Sequence, residues 1–294
     1  MSTHSNAMPE SSQGSQAPAV FSATRPMYWS LRRELWENRS LYIAPLAAAA
    51  VYLFAYSISA VRWPHRHTVL LPYHMAAALI MGAALLVGIF YALDALYGER
   101  RDRSILFWKS LPVSDRTTVL SKACIAIVFV PLLAFAITVI LQTIMLLLGS
   151  AVLLERGESV TAYWTQVSLF QMSLMLLYHL VTVHILWHAP IYSWMLLVSA
   201  WAKRATFLWA FLPPIAICVV EKIAFNSMHF CNLLMRRLAG GPEAMAMGDT
   251  FPIDPAMHIT PGNFLVSPGL WLGLIFAAAF LAGAVRLRRY REPI

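Results

Sequence analysis

The sequence predicts an all-α integral membrane protein with six transmembrane helices and both termini in the cytoplasm. An N-terminal interfacial helix and a short cytoplasmic helix between spans two and three complete the prediction. The first observation is composition, since 59% of the 294 residues are hydrophobic and 12% are charged, whereas a soluble domain has about 25% charged residues. The second is that six apolar stretches reach the about 20 residues that cross a bilayer as a helix. The third is a strong bias of the basic residues toward one side.

The six stretches are separated by polar or proline-rich segments. The predicted spans are Leu41–Val61, Pro72–Tyr97, Asp115–Leu154, Tyr163–Trp187, Thr206–Phe225 and Pro268–Val285. The apolar segment Ile191–Arg204 has two interpretations, a cytoplasmic interfacial helix or a kinked continuation of span four. The pair Pro213-Pro214 is expected to break span five, because proline lacks the N–H group that the helix needs.

Charge sets the predicted orientation. If both termini are cytoplasmic, sixteen of the 22 Lys and Arg residues lie on the inner side and six on the outer side. This is the positive-inside pattern, and it accounts for the net charge of +8 without a nucleic-acid partner. Residues 1–24 are rich in Ser, Gln, Ala and Pro and are predicted to be a disordered cytoplasmic tail. Residues 25–294 are predicted to form a single six-span domain.

An amphipathic segment precedes span one. Tyr28, Leu31, Leu35 and Trp36 can share one helix face while arginines point elsewhere. Aromatic residues and arginines on a short helix suit the headgroup layer. The segment is therefore predicted to be an interfacial helix, the alternative being the frayed start of span one.

The segment between spans two and three, here named the charged loop (residues 99–116), has its own pattern. Glu99 and Arg103 have the i,i+4 spacing and acid-first order that stabilise a helix. An apolar stripe can follow above the charged face, and Pro112 is predicted to end the helix. Ser114 is a suitable N-cap for the next helix. The residues predicted to form the stripe are Ile105, Leu106, Trp108 and Leu111.

Sequence motifs for catalysis are absent. The chain has no G-x-x-x-x-G-K-[ST] phosphate loop, no G-x-S-x-G and no H-E-x-x-H, so it is predicted to hold no ATP in that way and to be non-catalytic. Its three cysteines have no paired spacing, which suggests neither a disulfide framework nor a zinc site.

Three histidines stand close together in the sequence, at His179, His184 and His188. His184 and His188 share a helix face and could bind a metal or haem if further ligands came from elsewhere. The alternative is hydrogen bonding between helices, which we favour because no carboxylate or cysteine accompanies the pair.

Polar groups and helix breakers within the spans are candidates for lining a substrate pathway, with helix packing as the alternative. These candidates are Thr138, Gln142, Gln171, Pro213 and Pro214.

The loop before span six, from Asn226 to about Ser267, is long. Met228–Leu238 is predicted to be helical and to end at Gly240-Gly241-Pro242, with irregular chain after it. Short helices dipping into the outer leaflet are one possible arrangement, provided that protein covers their backbone.

The charged loop resembles the first cytoplasmic loop of bacterial ABC type-2 exporter permeases. The residues that carry the resemblance run from Leu96-Tyr97-Gly98-Glu99-Arg100-Arg101-Asp102-Arg103 to Ser104-Ile105-Leu106-Phe107-Trp108-Lys109-Ser110-Leu111-Pro112-Val113-Ser114. The N-terminal interfacial helix, six spans and the long loop before span six also have counterparts in that family. The resemblance implies a coupling helix that docks on a separate ATPase subunit. The residues assigned this coupling role are Glu99, Arg100, Arg101, Asp102, Arg103, Ile105, Leu106, Phe107, Trp108, Lys109, Leu111 and Pro112.

The resemblance also implies partners. ATP and Mg would be bound by the partner ATPase, with no cofactor in this chain, and a second permease subunit, identical or not, would complete a dimer in the bacterial inner membrane. The implied function is ATP-driven export of an apolar or amphipathic substrate such as a lipid, peptide or drug. Two alternatives stay open, namely a metal- or haem-binding redox subunit that uses His184 and His188, and a non-transporting sensor or assembly factor.

Overall fold

The structure is a computed structural model that describes residues 24–62, 69–110, 113–240 and 261–290, with side chains for 27–62, 69–107, 113–240 and 264–290. In these ranges the regular structure is all-helical. The predicted disordered tail lies largely outside the described residues. The elements are α1 (Thr24–Glu37), α2 (Ser40–Arg62), α3 (Leu71–Ala95), α4 (Tyr97–Arg101), α5 (Ser104–Ser110), α6 (Asp115–Cys124), π1 (Ile125–Phe129), α7 (Val130–Glu155), α8 (Val160–Gln166), α9 (Leu169–His179), π2 (Leu180–Trp187), α10 (Ala189–Trp201), α11 (Thr206–Phe225), α12 (His229–Ala239), α13 (Pro261–Val266) and α14 (Pro268–Tyr290).

Six helices of the described chain are long and apolar enough to cross a membrane, which confirms the predicted number of spans. This is the architecture of a multi-pass membrane protein. The six are Ser40–Arg62, Leu71–Arg101, Asp115–Glu155, Val160–Trp187, Thr206–Phe225 and Pro268–Tyr290.

The predicted break of span five at Pro213-Pro214 is wrong. Both prolines lie inside α11, which continues from Thr206 to Phe225 as one helix. Two N–H donors are lost there, but the carbonyls and amides on either side still form helical hydrogen bonds. In apolar surroundings those remaining bonds favour the helix over an open chain.

The ambiguous segment after span four forms the helix α10. Only His188 separates π2 from α10. Helix α10 packs against α3 and α14, and its Tyr192 and Leu196 are fully buried. An interfacial helix would expose one face to the headgroups, so this burial favours the continuation of span four.

A glycine permits the close contact between α3 and α10. A Cβ atom built on Gly88 would lie 2.8 Å from Cε1 of Tyr192, which is well inside van der Waals contact. Small residues at helix contacts in membranes allow backbones to approach in this way. The Tyr192 ring therefore lies directly against the α3 backbone.

The described hydrogen bonds show which helix ends lie together. The Arg156 guanidinium, after α7, donates to Val61 O at the end of α2 (2.9 Å). The Tyr73 and Tyr163 hydroxyls, near the starts of α3 and α8, are 2.6 Å apart. This is one end of the bundle, here named the tyrosine end. The other, the charged end, contains α1, the charged loop and the last turn of α14.

Helix α12 folds back from α11 through a short turn. The Glu221 carboxylate accepts hydrogen bonds from Ser227 Oγ (2.8 Å), His229 N (2.7 Å) and Phe230 N (2.9 Å), so it satisfies free amides of the first turn. Gly240, with φ of 101°, ends the helix.

The predicted helix of this loop is therefore confirmed to within one residue. Most of the segment that was predicted to be irregular, residues 241–260, lies outside the described residues. The prediction of irregular chain is wrong at Pro261–Val266, because these residues form the helix α13. Short helices were the alternative for this loop, and their entry into the outer leaflet stays a prediction.

Candidate functional site

The charged loop folds as a helix–turn–helix at the charged end. Helix α4 ends at Arg101, Asp102 forms a turn, and Arg103 has a left-handed backbone with φ of 57° before α5 begins at Ser104. The predicted helical pair between Glu99 and Arg103 is therefore not formed. Glu99 instead pairs with basic residues that are distant in sequence. Its carboxylate is buried, and a buried charge requires a desolvated opposite charge.

Glu99 binds three basic side chains from three different elements. Its Oε1 lies 3.1 Å from Lys122 Nζ in α6 and 3.4 Å from Arg33 Nη2 in α1. Its Oε2 accepts a hydrogen bond from Arg288 Nη1 in the last turns of α14. A single carboxylate thus joins the charged loop to the first helix, the third span and the sixth span.

Glu34 of α1 is the second buried carboxylate, with 2% of its surface exposed. Lys122 Nζ donates to its Oε1 at 2.6 Å, and the Tyr91 hydroxyl donates to its Oε2 at 2.9 Å. Arg33 Nη2 lies 2.9 Å from Oε1. Glu34 therefore ties α1 to spans two and three.

A third carboxylate, Asp115 at the start of α6, binds Arg288 Nε at 3.1 Å. The resulting assembly, here named the charge network, has three acids and three bases and is neutral as a set. Its members are Arg33, Glu34, Glu99, Asp115, Lys122 and Arg288. Because every buried charge has an opposite partner, the network can exist where water is excluded.

Arg100 fixes α4 to the end of span four. Its Nη2 donates to the carbonyl oxygens of Ser199 (2.8 Å) and Ala202 (2.6 Å), which lie at the negative end of the α10 dipole. In return, Ser199 Oγ accepts hydrogen bonds from the backbone N–H groups of Leu96 and Tyr97. The loop thus contacts the ends of spans two, three, four and six.

The residues assigned a coupling role divide into a buried and an exposed set. Glu99, Arg100 and Ile105 are 8%, 3% and 1% exposed, so they hold the loop against the bundle and are not on its surface. Leu106 and Phe107 are about 60% exposed. Arg101, Asp102 and Arg103 are exposed too. Trp108 and Lys109 belong to α5, but the structure does not describe their side chains. Leu111 and Pro112 lie outside the described residues.

The N-cap prediction after the loop is confirmed. Ser114 has an extended backbone, and its hydroxyl accepts a hydrogen bond from Thr117 N at 3.1 Å. This cap starts α6 at Asp115 and so sets the position of Lys122, two turns later, inside the charge network.

Sequence analysis missed Glu34, Tyr91 and Arg288 as site residues. Glu34 could have been found, since it lies three residues after Leu31 and directly before Leu35, on the face of α1 that was predicted to be apolar. An acid in that position requires a buried partner. No local pattern identifies which basic residue provides it.

The pathway candidates are not brought together into one cavity. Thr138 and Gln142 are buried on α7, where Thr138 Oγ1 donates to Ala134 O and Gln142 Nε2 donates to Tyr73 O. Gln171 is exposed on α9, and Pro213 and Pro214 are half-buried in α11. Thr138 Oγ1 and Gln142 Nε2 form hydrogen bonds within the bundle, as the packing alternative predicts, while Gln142 Oε1 has no partner among the described residues. A pathway role stays a prediction.

The histidine pair lies at the junction of π2 and α10. The rings of His184 and His188 are 5.3 Å apart at an angle of 66°, and His188 Nε2 lies 3.3 Å from Leu238 O. Among the described side chains, no group of three His, Cys, Asp or Glu residues is placed to hold a metal ion. The Arg237 guanidinium lies over the adjacent Trp187, and a fixed positive charge there disfavours a metal cation.

No family model, curated protein or solved structure matches this chain. The resemblance to ABC type-2 permeases therefore stays a prediction that depends on the sequence of the charged loop.

Proposed function

We propose that this chain is the membrane subunit of an ATP-driven exporter, and that a separate ATPase subunit docks on α5. The observation that supports this best is the contrast within the charged loop. Its outer surface presents Leu106 and Phe107 to a potential partner, while its inner surface is bound by buried ion pairs to the bundle. A loop that only connects two spans needs neither feature.

The charge network gives the proposal a mechanism. Movement of α5 would be transmitted to α1, α6 and α14 by the ion pairs of Glu99. It would be transmitted to α10 by the hydrogen bonds of Arg100. Closure of an ATPase dimer would move these helix ends together, and two membrane subunits would tilt between inward and outward openings. ATP shifts this equilibrium only to the extent that it binds the two conformations with different affinity.

The remaining parts of the proposal follow from the charge bias and the apolar spans. The charged end faces the cytoplasm of a bacterial cell, where the positive-inside rule favours it. The substrate is an apolar or amphipathic molecule such as a lipid, peptide or drug. A non-transporting sensor that binds the same ATPase is distinguished from an exporter by a transport assay in sealed vesicles.

Docking is tested by changing Leu106 and Phe107 to Asp in the tagged full chain, co-expressed with ABC ATPase subunits of the same genome. We expect the double variant to lose co-purification of the ATPase and its stimulated ATP hydrolysis. Removal of exposed apolar anchors at the centre of an interface costs about 2–4 kcal/mol each, and burial of a carboxylate adds to this loss.

A matched control is the double variant Leu233→Asp with Met235→Asp on α12. These side chains have the same exposure as Leu106 and Phe107 but lie on the loop before span six. Folding of each variant is verified by size-exclusion chromatography. The proposal is wrong if the Leu106/Phe107 variant retains the ATPase and its hydrolysis rate, or if both double variants lose them equally.

A further inference from the structure

The C-terminal end of α12 lies against the junction of π2 and α10. Trp187 Nε1 donates to Arg236 O (3.3 Å), and His188 Nε2 donates to Leu238 O (3.3 Å). Leu238 O is a carbonyl that the helix end leaves free, whereas Arg236 O also accepts a hydrogen bond from the Gly240 backbone N–H. Arg237, between those carbonyls, points toward the bundle and lies over the Trp187 ring with its guanidinium carbon 4.2 Å from the ring centroid.

A glycine in α14 makes room for this arginine. A Cβ atom built on Gly273 would overlap Arg237 Nη2, so the guanidinium occupies the volume of a missing side chain. Nη2 donates to Gly269 O at 3.1 Å. Arg237 is therefore positioned by α12, π2 and α14 together.

The positive charge of Arg237 is not compensated within the described residues. Arg33, Lys122 and Arg288 each bind a carboxylate. The hydrogen bond that Arg237 donates within the described residues is to a backbone carbonyl, Gly269 O. Its Nη1 is shielded from solvent without a hydrogen-bond partner. Arg237 as a whole is half-buried, and a guanidinium has five N–H donors, so an opposite charge in contact with it would be favourable. A bound anion would therefore pair with this charge and with the unpartnered Nη1.

Two buried histidines stand close in the chain to Trp187, the residue whose ring Arg237 covers, and they have hydrogen-bonding atoms without partners among the described residues. His184 and His188 are 8% and 2% exposed, and the Nδ1 atom of each lacks a partner among the described residues. Because Leu238 O can only accept, His188 Nε2 carries the proton, and Nδ1 of the neutral ring is then an acceptor. The site thus offers an arginine for an anionic oxygen and a histidine acceptor for a hydroxyl.

We propose that Arg237, His184 and His188 form a binding site for a phosphate anion that is carried on a hydroxylated lipid head group. Arg237 lies beside Gly269 and Gly273, in the first turns of the last span, and lipid head groups lie at the ends of membrane spans. Arginine pairs well with phosphate because its N–H groups match the phosphate oxygens. This inference concerns the chain alone and does not depend on the proposed ATPase partner.

The test measures lipid binding to the purified full chain in a neutral detergent by native mass spectrometry and titration. The probes are short-chain phosphatidylglycerol, short-chain phosphatidylcholine and inorganic phosphate. We expect phosphatidylglycerol to bind more tightly than phosphatidylcholine, which has no head-group hydroxyl. Arg237→Gln is expected to weaken phosphatidylglycerol binding at least about tenfold, since a charge-assisted hydrogen bond is lost.

The matched control is Arg236→Gln, the exposed neighbour on the same helix, which removes the same charge and should leave binding unchanged. A second variant, Gly273→Leu, fills the space of the guanidinium and should weaken binding while all charges remain. Inorganic phosphate that competes with the lipid at equal affinity would assign the site to the free ion and overturn the lipid assignment. Equal losses in the Arg236 and Arg237 variants, or no binding by the unmodified chain, would overturn the whole proposal.

Discussion

Replacement of Lys122 by Met is expected to destabilise the folded chain by about 3–5 kcal/mol, because Glu34 and Glu99 are buried and lose one of the two cations that they share, the other being Arg33. Lys122 Nζ lies 2.6 Å from Glu34 and 3.1 Å from Glu99. Methionine keeps most of the volume, so the loss is electrostatic and not a cavity effect. The measurement is the apparent melting temperature of the detergent-purified chain, which we expect to fall by roughly 10 °C.

The control for this variant is Arg116→Met, which removes an exposed positive charge from the same helix. It should have little effect on the melting temperature. Adding Glu34→Gln to Lys122→Met should recover part of the loss, because a neutral amide can remain without a cation and can still accept the Tyr91 hydrogen bond. If Lys122→Met is as stable as Arg116→Met, the charge network does not hold the charged end together.

The spans could be predicted from the sequence because the constraint on them is physical and local. A helix that crosses a bilayer needs a minimum number of apolar residues. From this requirement both ends of the span Thr206–Phe225 were predicted correctly. The same reasoning failed inside span five. It treated Pro213 and Pro214 as breaks, although a helix in apolar surroundings retains its remaining hydrogen bonds.

The charged loop shows where local reasoning stops. The spacing of Glu99 and Arg103 predicts a surface pair worth a few tenths of a kcal/mol. The structure instead buries Glu99 against Lys122 and Arg288, and the loss of one partner from such a buried pair costs several kcal/mol. The larger energy decides the pairing. It comes from residues up to 189 positions away, which no window of sequence can identify.

The candidate coupling surface was predicted in part. The amphipathic pattern identified α5, and the structure confirms a helix there from Ser104 to Ser110. The predicted apolar stripe included both Ile105 and Leu106, yet Ile105 is buried and Leu106 is exposed. A pattern gives the relative positions of residues on a helix, but the direction in which the helix faces depends on contacts with α4 and the bundle.

Replacement of Gly88 by Leu is the second change for which we expect a large effect, a loss of about 3 kcal/mol in folding stability. Even the first carbon of the new side chain would lie 2.8 Å from the Tyr192 ring, which is fully buried. Gly82→Leu, on the same helix, is the matched control, because a Cβ there meets no atom within 4 Å. Thermal unfolding of both variants in detergent measures the difference.

A double-mutant cycle separates this packing conflict from a general effect of leucine in α3. Tyr192→Ala alone creates a cavity and should destabilise by about 3–5 kcal/mol, but it also frees the volume that a leucine side chain in place of Gly88 requires. The double variant should therefore be more stable than the sum of the two single effects by at least about 1 kcal/mol. Tyr192→Phe should give no such recovery, because it keeps the ring and removes only a hydroxyl that has no partner among the described residues. Additive losses in the variant that combines Gly88→Leu with Tyr192→Ala would show that the α3–α10 contact does not depend on this glycine.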